Sequence, residues 1–485
     1  MAFRTNLLIL LFPLGCGLLS CAILGEAAPI EPARAPRLAT VQVDTNYPGP
    51  AIPSTFMGIS HEWYDSPRMM GSSQTGINTI YRRLLANLTA FGSGPIILRI
   101  GGDSTDKTKE PTPATVTPYA EVAQALGAHF ILGVNLGGGD TGLAYRQTRA
   151  YLSQMPPGSV DGIELGNEPD EYYKNGMRQS AYSLANYLAE FDTWKTIILP
   201  ILPPNTGLVG PAWAFTGTMK QNIQYFESRE ASVLSVFSQH YYATNPGAKP
   251  RADYFLTPGV ALQGPSEVAS AVAITHQYGT RFRLGEFSSI SNAGVKGVSD
   301  AFGVALWAID TMFEYAQVGV DGINWESSSG NYDNPFYFSI DTSKAKTTYS
   351  LTSVAPLYYG LLFFQAATGN SARLLPVHLA TQANVKAWAT IDSSGTPHLA
   401  LINKDEASSG TVAITLQGYN HATVLRLAAP SVSATSGVTI GAQTFDGSVD
   451  GTLQGTPRIE QVVGTNGVFQ IPLPVTSAAL VTFFK

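Results

Sequence analysis

The sequence predicts a (β/α)8 TIM barrel followed by a C-terminal antiparallel β-sandwich. Between Phe56 and Phe364, eight short and nearly continuous apolar segments alternate with amphipathic helical patterns, which is typical of parallel strands covered on both faces. After about Ala366, apolar and polar residues alternate in segments separated by turns rich in Gly, Ser, Asn and Asp. The chain has 485 residues, which is enough for two domains.

The first element is a predicted signal peptide at residues 1–28. Arg4 precedes an apolar run over residues 7–24, and small residues follow it. The alternative is a lipid anchor at Cys21, because residues 18–21 loosely resemble a lipoprotein processing site. Ordinary cleavage removes both cysteines, so we expect a secreted mature protein without disulfides and without a transmembrane segment.

The barrel is assigned to residues 50–365. Its strands are predicted, in order, at 56–60, 95–100, 130–135, 162–166, 197–202, 234–240, 282–285 and 320–325. Helical patterns between them include 78–91, 119–126, 180–191, 266–278 and 300–316. Residues 137–142 formally match the G-x-G-x-x-G pattern of an open nucleotide-binding sheet, which is the alternative fold. Because the match follows the third strand instead of opening the fold, we interpret it as a loop at the barrel mouth.

The sandwich is assigned to residues 366–485. Its strands are predicted at 385–391, 398–402, 411–416, 422–427, 468–472 and 479–484. An early strand at 40–43, within residues 37–46, precedes the barrel, and we expect it to pair into the same sandwich.

Composition narrows the function. The net charge is −6 and only 13% of residues are charged, so the sequence does not suggest a nucleic-acid partner. The pattern H-x-x-x-H is missing from the sequence, as are C-x-x-C and G-x-S-x-G. We therefore expect no metal site, no cofactor and no serine nucleophile.

The sharpest motif is Asn167-Glu168-Pro169 at the end of the fourth predicted strand. Barrel active sites gather at the C-terminal ends of the strands, where a carboxylic acid with a raised pKa can protonate a departing glycosidic oxygen. Asn167 can donate a hydrogen bond to a sugar hydroxyl. Glu164 lies deeper in the same strand, and we expect a structural role for it.

Such chemistry needs a second carboxylate, and Glu286 supplies it at the end of the seventh predicted strand. Strands four and seven face each other across a barrel mouth, so a closed barrel brings Glu286 and Glu168 together. A carboxyl separation of about 5–5.5 Å makes an enzyme retaining, whereas about 6.5–9.5 Å makes it inverting.

Together these features resemble the clan of retaining (β/α)8 glycosidases, and more closely glycoside hydrolase family 79, which holds β-glucuronidases and heparanase. The matching segments are 98–103, 164–169, 239–242 and 284–286, with the trailing sandwich. An obvious excised linker and the basic clusters of heparanase are missing from the sequence. The resemblance thus implies a retaining exo-β-glucuronidase acting on carbohydrate glucuronides. A neutral-sugar β-glycosidase, an endo-acting polysaccharide hydrolase and a non-catalytic carbohydrate-binding protein remain the alternatives.

The resemblance also implies roles for individual residues. Tyr242 is expected to hydrogen-bond the nucleophile, and Asp103 to accept hydrogen bonds from sugar hydroxyls. Trp325 either stacks on a sugar face or packs in the core. His61 and Glu62 either line the pocket or form a structural pair.

A uronic acid substrate needs donors for its own carboxylate, and the segment just after Glu286 offers them. Asn292, backbone N–H groups near Gly294 and the Lys296 ammonium are the candidates. The loop at 327–334, with Tyr332, is expected to cover the same pocket.

Overall fold

The computed structural model of the protein describes residues 37–179 and 182–485. The predicted signal peptide, both cysteines and the first residues of the helix predicted at 180–191 lie outside the described residues. Among the helices in the described ranges, none combines the length and the apolar character that crossing a membrane requires.

The strands and helices are numbered in chain order. The strands are β1 (Arg37–Val43), β2 (Met57–Glu62), β3 (Gly71–Ser72), β4 (Gly76–Ile77), β5 (Ile97–Gly101), β6 (His129–Val134), β7 (Val160–Leu165), β8 (Gly207–Trp213), β9 (Leu234–Thr244), β10 (Arg281–Ile290), β11 (Gly322–Glu326), β12 (Phe336–Asp341), β13 (Thr348–Val354), β14 (Arg373–Leu375), β15 (Val377–Thr381), β16 (Val385–Ile391), β17 (Pro397–Asn403), β18 (Gly410–Thr415), β19 (His421–Ala428), β20 (Thr439–Ile440), β21 (Glu460–Val463), β22 (Val468–Leu473) and β23 (Ser477–Phe484). The helices are α1 (Ser66–Met70), α2 (Thr79–Thr89), α3 (Pro113–Leu126), α4 (Thr141–Gln154), α5 (Leu184–Ile198), α6 (Thr216–Glu230), α7 (Pro258–Tyr278), α8 (Phe302–Gln317) and α9 (Pro356–Thr368).

The predicted barrel is confirmed. Eight strands close into one sheet in the order β2, β5, β6, β7, β8, β9, β10 and β11, and every neighbouring pair is parallel. The strands are almost entirely buried because helices cover the outside and side chains fill the inside. The alternative of an open doubly wound sheet is therefore excluded.

The fifth barrel strand was predicted in the wrong place. Residues 197–202 carry an apolar run, but they finish α5 and form a short 3-10 turn, because Trp194 and Ile198 continue the buried face of that helix. The real fifth strand is β8, whose two glycines and Pro211 weaken its strand pattern. The register between β8 and β9 shifts next to Pro211, so the pairing of the two strands continues although proline has no N–H to donate.

The barrel interior changes from apolar to polar along its axis. Ile97, Ile131, Val209 and Val236 form a small apolar cluster of their own. Side chains two residues further along the same strands point to the same side, so Arg99 follows Ile97 on β5. A polar layer thus lies above the apolar one and supports the mouth of the barrel.

The predicted C-terminal sandwich is also confirmed. One sheet has the order β15, β1, β18 and β22, and the other contains seven strands, β14, β16, β17, β23, β19, β20 and β21. Their facing side chains share one apolar core, to which Val41, Ile414 and Val481 belong. The early strand β1 joins this domain between β15 and β18, and its pairing with β18 is parallel while the other ladders are antiparallel.

Candidate active site

The end of β7 turns sharply and presents Glu168. Gly166 has φ of 74°, a conformation that favours glycine, and a side chain there would collide with the Tyr172 hydroxyl. Glu168 itself has φ of 47° and donates its backbone N–H to the carbonyl of Ala212 at 3.0 Å. A non-glycine residue in this region is uncommon and often occurs at functional sites. The Glu168 side chain keeps 21% of its surface exposed.

The end of β10 presents Glu286 through a bulge. The register with β9 shifts between Leu284 and Glu286, and such bulges often re-aim side chains beside active sites. Gly285 sits in the bulge, where a side chain would collide with the Ser238 hydroxyl. Glu286 keeps only 12% of its side-chain surface exposed.

These two glutamates meet at one histidine. His240 on β9 places Nδ1 at 2.9 Å from Oε1 of Glu168 and 4.0 Å from Oε2 of Glu286. One carboxylate oxygen of Glu168 and one of Glu286 lie within 4.8 Å of each other. That spacing agrees with the retaining separation and leaves too little room for the water of an inverting enzyme.

Glu286 is held by two further donors. The Tyr242 hydroxyl donates to Oε1 at 2.7 Å, and Nη1 of Arg99 donates to Oε2 at 2.8 Å. Arg99 is completely buried, and it also donates to Glu164 at 2.7 Å and to Asn167 at 2.7 Å. Glu164 is thus paired inside the barrel, in a supporting position.

The surroundings drive the two carboxyl pKa values apart. Burial raises the pKa of Glu168, and the nearby Glu286 and Asp103 charges add to this, although the His240 hydrogen bond opposes it. Burial also works against ionisation of Glu286, but the charges of His240 and Arg99 and the hydrogen bonds from Tyr242 and Arg99 lower its pKa overall. Of the two, Glu168 thus holds its proton more strongly and Glu286 ionises more readily, which is the difference that an acid and a nucleophile in glycoside cleavage need.

These directions predict a bell-shaped pH profile for kcat/KM. A nucleophilic Glu286 must be ionised, so we expect its lowered pKa to set the acidic limb, below which activity falls. A general acid Glu168 must be protonated, so we expect its raised pKa to set the alkaline limb, above which activity falls. The Asp103→Asn variant removes a negative charge that raises the pKa of Glu168, so we expect the alkaline limb to move to lower pH.

The measurement is kcat/KM against pH for wild type, Asp103→Asn and the control Glu406→Gln, which changes an exposed carboxylate on the sandwich. Asparagine at position 103 keeps the oxygen that accepts the 3.3 Å hydrogen bond from Asn167. An alkaline limb that stays in place in Asp103→Asn, or moves equally in the control, would contradict the assignment of Glu168 to that limb.

Asn167, Asp103 and Tyr242 lie with the two glutamates at this mouth. Asn167 accepts from Arg99 and donates to Asp103, so both residues adjoin the two glutamates. Tyr242 contacts Glu286 as described. Glu62 accepts backbone N–H groups from Asp103 at 3.0 Å and Ser104 at 2.9 Å, and its charge acts on Glu286.

The loop after β10 has a special backbone. Asn292, Ala293 and Gly294 have φ of 54°, 69° and 71°, three consecutive left-handed residues. Tyr332 donates its backbone N–H to the carbonyl of Ala293 at 2.7 Å, which ties the loop at 327–334 to it. Within the described part of the chain, the N–H groups of these three residues have no acceptor. Lys296 lies further along the loop and is exposed.

Two residues for which the sequence left a pocket role and a structural role open, Trp325 and His61, are buried. Trp325 is completely buried and packs edge-on against Phe287 with ring centroids 4.7 Å apart, so the prediction that it stacks on a sugar is wrong and the packing alternative holds. His61 is also buried, with its ring nitrogens 2.6 Å from the Ser327 carbonyl oxygen and 2.8 Å from the Tyr81 hydroxyl. We interpret His61 as structural.

Sequence reasoning missed Arg99 and His240 as parts of the site. Both lie inside the segments that carry the family resemblance, but the resemblance implied roles for other residues of those segments. The available signal was a charged or titratable side chain within an otherwise buried strand, which is costly unless it is paired.

Glu168, His240 and Glu286 also form the one group of acid and histidine side chains, among the described residues, close enough to bind a metal ion. Their near atoms are already engaged, because His240 is hydrogen-bonded to Glu168 and Arg99 neutralises Glu286. We therefore interpret the group as a hydrogen-bonded cluster of two carboxyl groups and one imidazole.

The C-terminal domain matches a known family. Residues 387–480 match the glycosyl hydrolase family 79 C-terminal beta domain. A beta-glucuronidase of Aspergillus niger is 24% identical over 482 residues, covering 84% of this chain and 86% of that protein. A beta-glucuronidase of Neurospora crassa is 25% identical over 440 residues, covering 78% and 75%.

Solved structures share the fold. A 4-O-α-L-rhamnosyl-β-D-glucuronidase from Fusarium oxysporum 12S, in complex with Rha-GlcA, superposes with a TM-score of 0.73 at 18% identity, covering 91% of this chain and 100% of that one. A GH51 arabinofuranosidase from Xanthomonas axonopodis pv. citri gives 0.68 at 15% identity, covering 92% and 100%.

Proposed function

We propose that the chain is a retaining exo-β-glucuronidase of glycoside hydrolase family 79 that removes terminal β-linked glucuronic acid from glycans or glycosides. The observation that carries the proposal is the pair Glu168 and Glu286, with carboxylate oxygens within 4.8 Å and pKa values shifted in opposite directions. Exo action is inferred because the basic clusters that hold a long anionic polymer are missing from the sequence.

The first step forms a glycosyl-enzyme. Glu286, the nucleophile, attacks the anomeric carbon while the bond from that carbon to the aglycone oxygen breaks. Glu168 donates its proton to the departing oxygen, so the aglycone leaves as a neutral alcohol. Tyr242 and Arg99 hold the attacking carboxylate in place and keep it ionised.

The second step releases the sugar with its original anomeric configuration. Glu168, now ionised, takes a proton from water as the water oxygen attacks the anomeric carbon and the bond to Glu286 breaks. In the free enzyme, the negative charge of Glu286 raises the pKa of Glu168. In the intermediate Glu286 is an ester and carries no charge. The pKa of Glu168 therefore falls in the intermediate, when Glu168 must act as a base.

The loop after β10 supports recognition of an acidic sugar. The free N–H groups of Asn292, Ala293 and Gly294 offer donors to an anion, and left-handed residues at functional loops commonly serve a ligand. Lys296 adds a positive charge to the same loop, and the backbone hydrogen bond from Tyr332 to Ala293 holds the loop at 327–334 against it. Together they are proposed to bind the uronate carboxylate.

A panel of aryl β-glycosides tests the proposal directly. We expect hydrolysis of aryl β-glucuronide at least about 100-fold faster than of aryl β-glucoside or xyloside, in line with charge-assisted hydrogen bonds to the carboxylate. NMR of the first product should show the β-anomer of glucuronic acid. The α-anomer as first product would refute the retaining mechanism, and faster glucoside cleavage would refute the uronidase assignment.

The Lys296→Gln variant tests the acid-binding loop. We expect kcat/KM for aryl β-glucuronide to fall about tenfold, because one cation near the uronate is lost, with little change for any residual aryl β-glucosidase activity. Lys344→Gln, an exposed lysine on the turn after β12, serves as the control. Equal losses on acidic and neutral substrates would show that Lys296 does not read the carboxylate.

A further inference from the structure

We propose that Tyr173 and Phe215 form an aglycone platform, a surface beside Glu168 on which a neutral sugar of the leaving group stacks. The inference deepens the proposed function and rests on it. It assigns side chains to the part of the pocket that the departing alcohol occupies.

The platform residues are unusually exposed for large aromatic side chains. Tyr173 is 44% exposed and Phe215 is 45% exposed, whereas the neighbouring Tyr172 and Trp213 are buried in the core. Tyr173 directly follows its buried anchor Tyr172, and Phe215 lies two residues after its buried anchor Trp213 at the end of β8. The anchors fix the loops and leave the next ring to face solvent.

Backbone contacts fix both loops beside the acid/base candidate. Glu168 donates its N–H to Ala212, and the Asp170 carboxylate accepts the N–H groups of Ala214 at 2.9 Å and of Phe215 at 3.1 Å. The segments 168–174 and 212–215 are therefore hydrogen-bonded to each other next to Glu168. Because Glu168 protonates the leaving oxygen, groups next to it on this side adjoin the leaving group and not the glucuronic acid ring.

Lys174 gives the platform its chemical preference. Its Nζ lies 4.2 Å from the centroid of the Phe215 ring and 2.5 Å from Oε1 of Glu171. The ammonium thus makes a cation–π contact with the Phe215 ring, and its charge is paired with the Glu171 carboxylate. A surface of two aromatic rings with no spare charge suits the apolar C–H face of a neutral hexose better than a carboxylated or sulfated sugar.

The experiment compares two substrates that differ only in the leaving group: methyl β-glucuronide, and glucuronic acid β-linked to a neutral disaccharide. The readout is the ratio of kcat/KM for the disaccharide aglycone to kcat/KM for the methyl aglycone. We expect this ratio to fall about five- to tenfold in Phe215→Ala and in Tyr173→Ala, which is the size of one lost stacking contact. Phe215→Leu keeps an apolar side chain without the flat ring and should also lower it.

The matched control is Tyr225→Ala, which removes another exposed tyrosine, on α6, and should leave the ratio unchanged. Variants with the wild-type thermal midpoint and an unchanged ratio would overturn the platform. So would an equal fall of the ratio in the control. Absence of turnover of both substrates by the wild-type enzyme would instead refute the proposed function, so the two failures are distinguishable.

Discussion

Replacing Glu286 with alanine is expected to lower kcat for aryl β-glucuronides by about 10,000-fold or more. The variant loses the group that forms the glycosyl-enzyme, and removal of a covalent nucleophile typically costs this much. The remaining pocket still contains Arg99 and Tyr242, which lose their shared acceptor but keep the space above it open. Substrate binding should therefore persist while turnover stops.

Azide provides the sharper test of that variant. A small anion entering the space left by the Glu286 carboxylate attacks from the same face, so the expected product is the α-glucuronosyl azide, with rescued release of the aryl alcohol. Glu406→Ala, an exposed glutamate on the sandwich, is the control and should keep wild-type kinetics. Full activity of Glu286→Ala, or a β-azide product from it, would contradict the nucleophile assignment.

Replacing Glu168 with alanine is expected to have an effect that depends on the leaving group. Substrates with alkyl or sugar aglycones need protonation, so their kcat/KM should fall about 100- to 10,000-fold. Dinitrophenyl β-glucuronide leaves without a proton, so its first step should survive. Because the variant also lacks the base of the second step, the glycosyl-enzyme should accumulate and give a burst of dinitrophenol.

In the Glu168→Ala variant, azide enters on the face that the Glu168 side chain occupies in the wild type, and it attacks the accumulated intermediate. The expected product is the β-glucuronosyl azide, opposite in configuration to that from Glu286→Ala. The two variants therefore distinguish the roles of Glu168 and Glu286 by product stereochemistry as well as by rate. A uniform loss over good and poor leaving groups, without a burst, would contradict the acid/base role of Glu168.

The sequence predicted most of the barrel because its strands are apolar on both faces and most of them start and stop at clear turns. It failed at the fifth strand, where a helix ended in an apolar run and the true strand contained Pro211. The sequence patterns of the two segments do not distinguish which one is the strand, and only closure of the barrel determines which segment pairs with β7 and β9. The number of units nevertheless stayed right, so Glu168 and Glu286 kept their places on the fourth and seventh strands.

Within the site, single residues at strand ends were predictable and multi-residue contacts were not. The bridge from Arg99 to Glu164, Asn167 and Glu286 joins three separate strand ends, and no sequence spacing encodes it. Trp325 is a single residue whose role the sequence left open. An aromatic side chain at a strand end can stack on a sugar or pack in the core, and contacts with residues remote in sequence, such as Trp307, place Trp325 in the core.

The position of β1 determines when the C-terminal domain is able to assemble. This strand is synthesised before the barrel, yet it lies between β15 and β18, with Ala39 opposite Thr381. In a newly made chain, β1 must therefore stay unpaired while the whole catalytic domain is synthesised, until β15 and β18 have left the ribosome. A C-terminal fragment expressed alone would lack this inner strand and expose two bare sheet edges, which invites aggregation. Gene fusions and truncations of this enzyme should accordingly keep both ends of the described chain together.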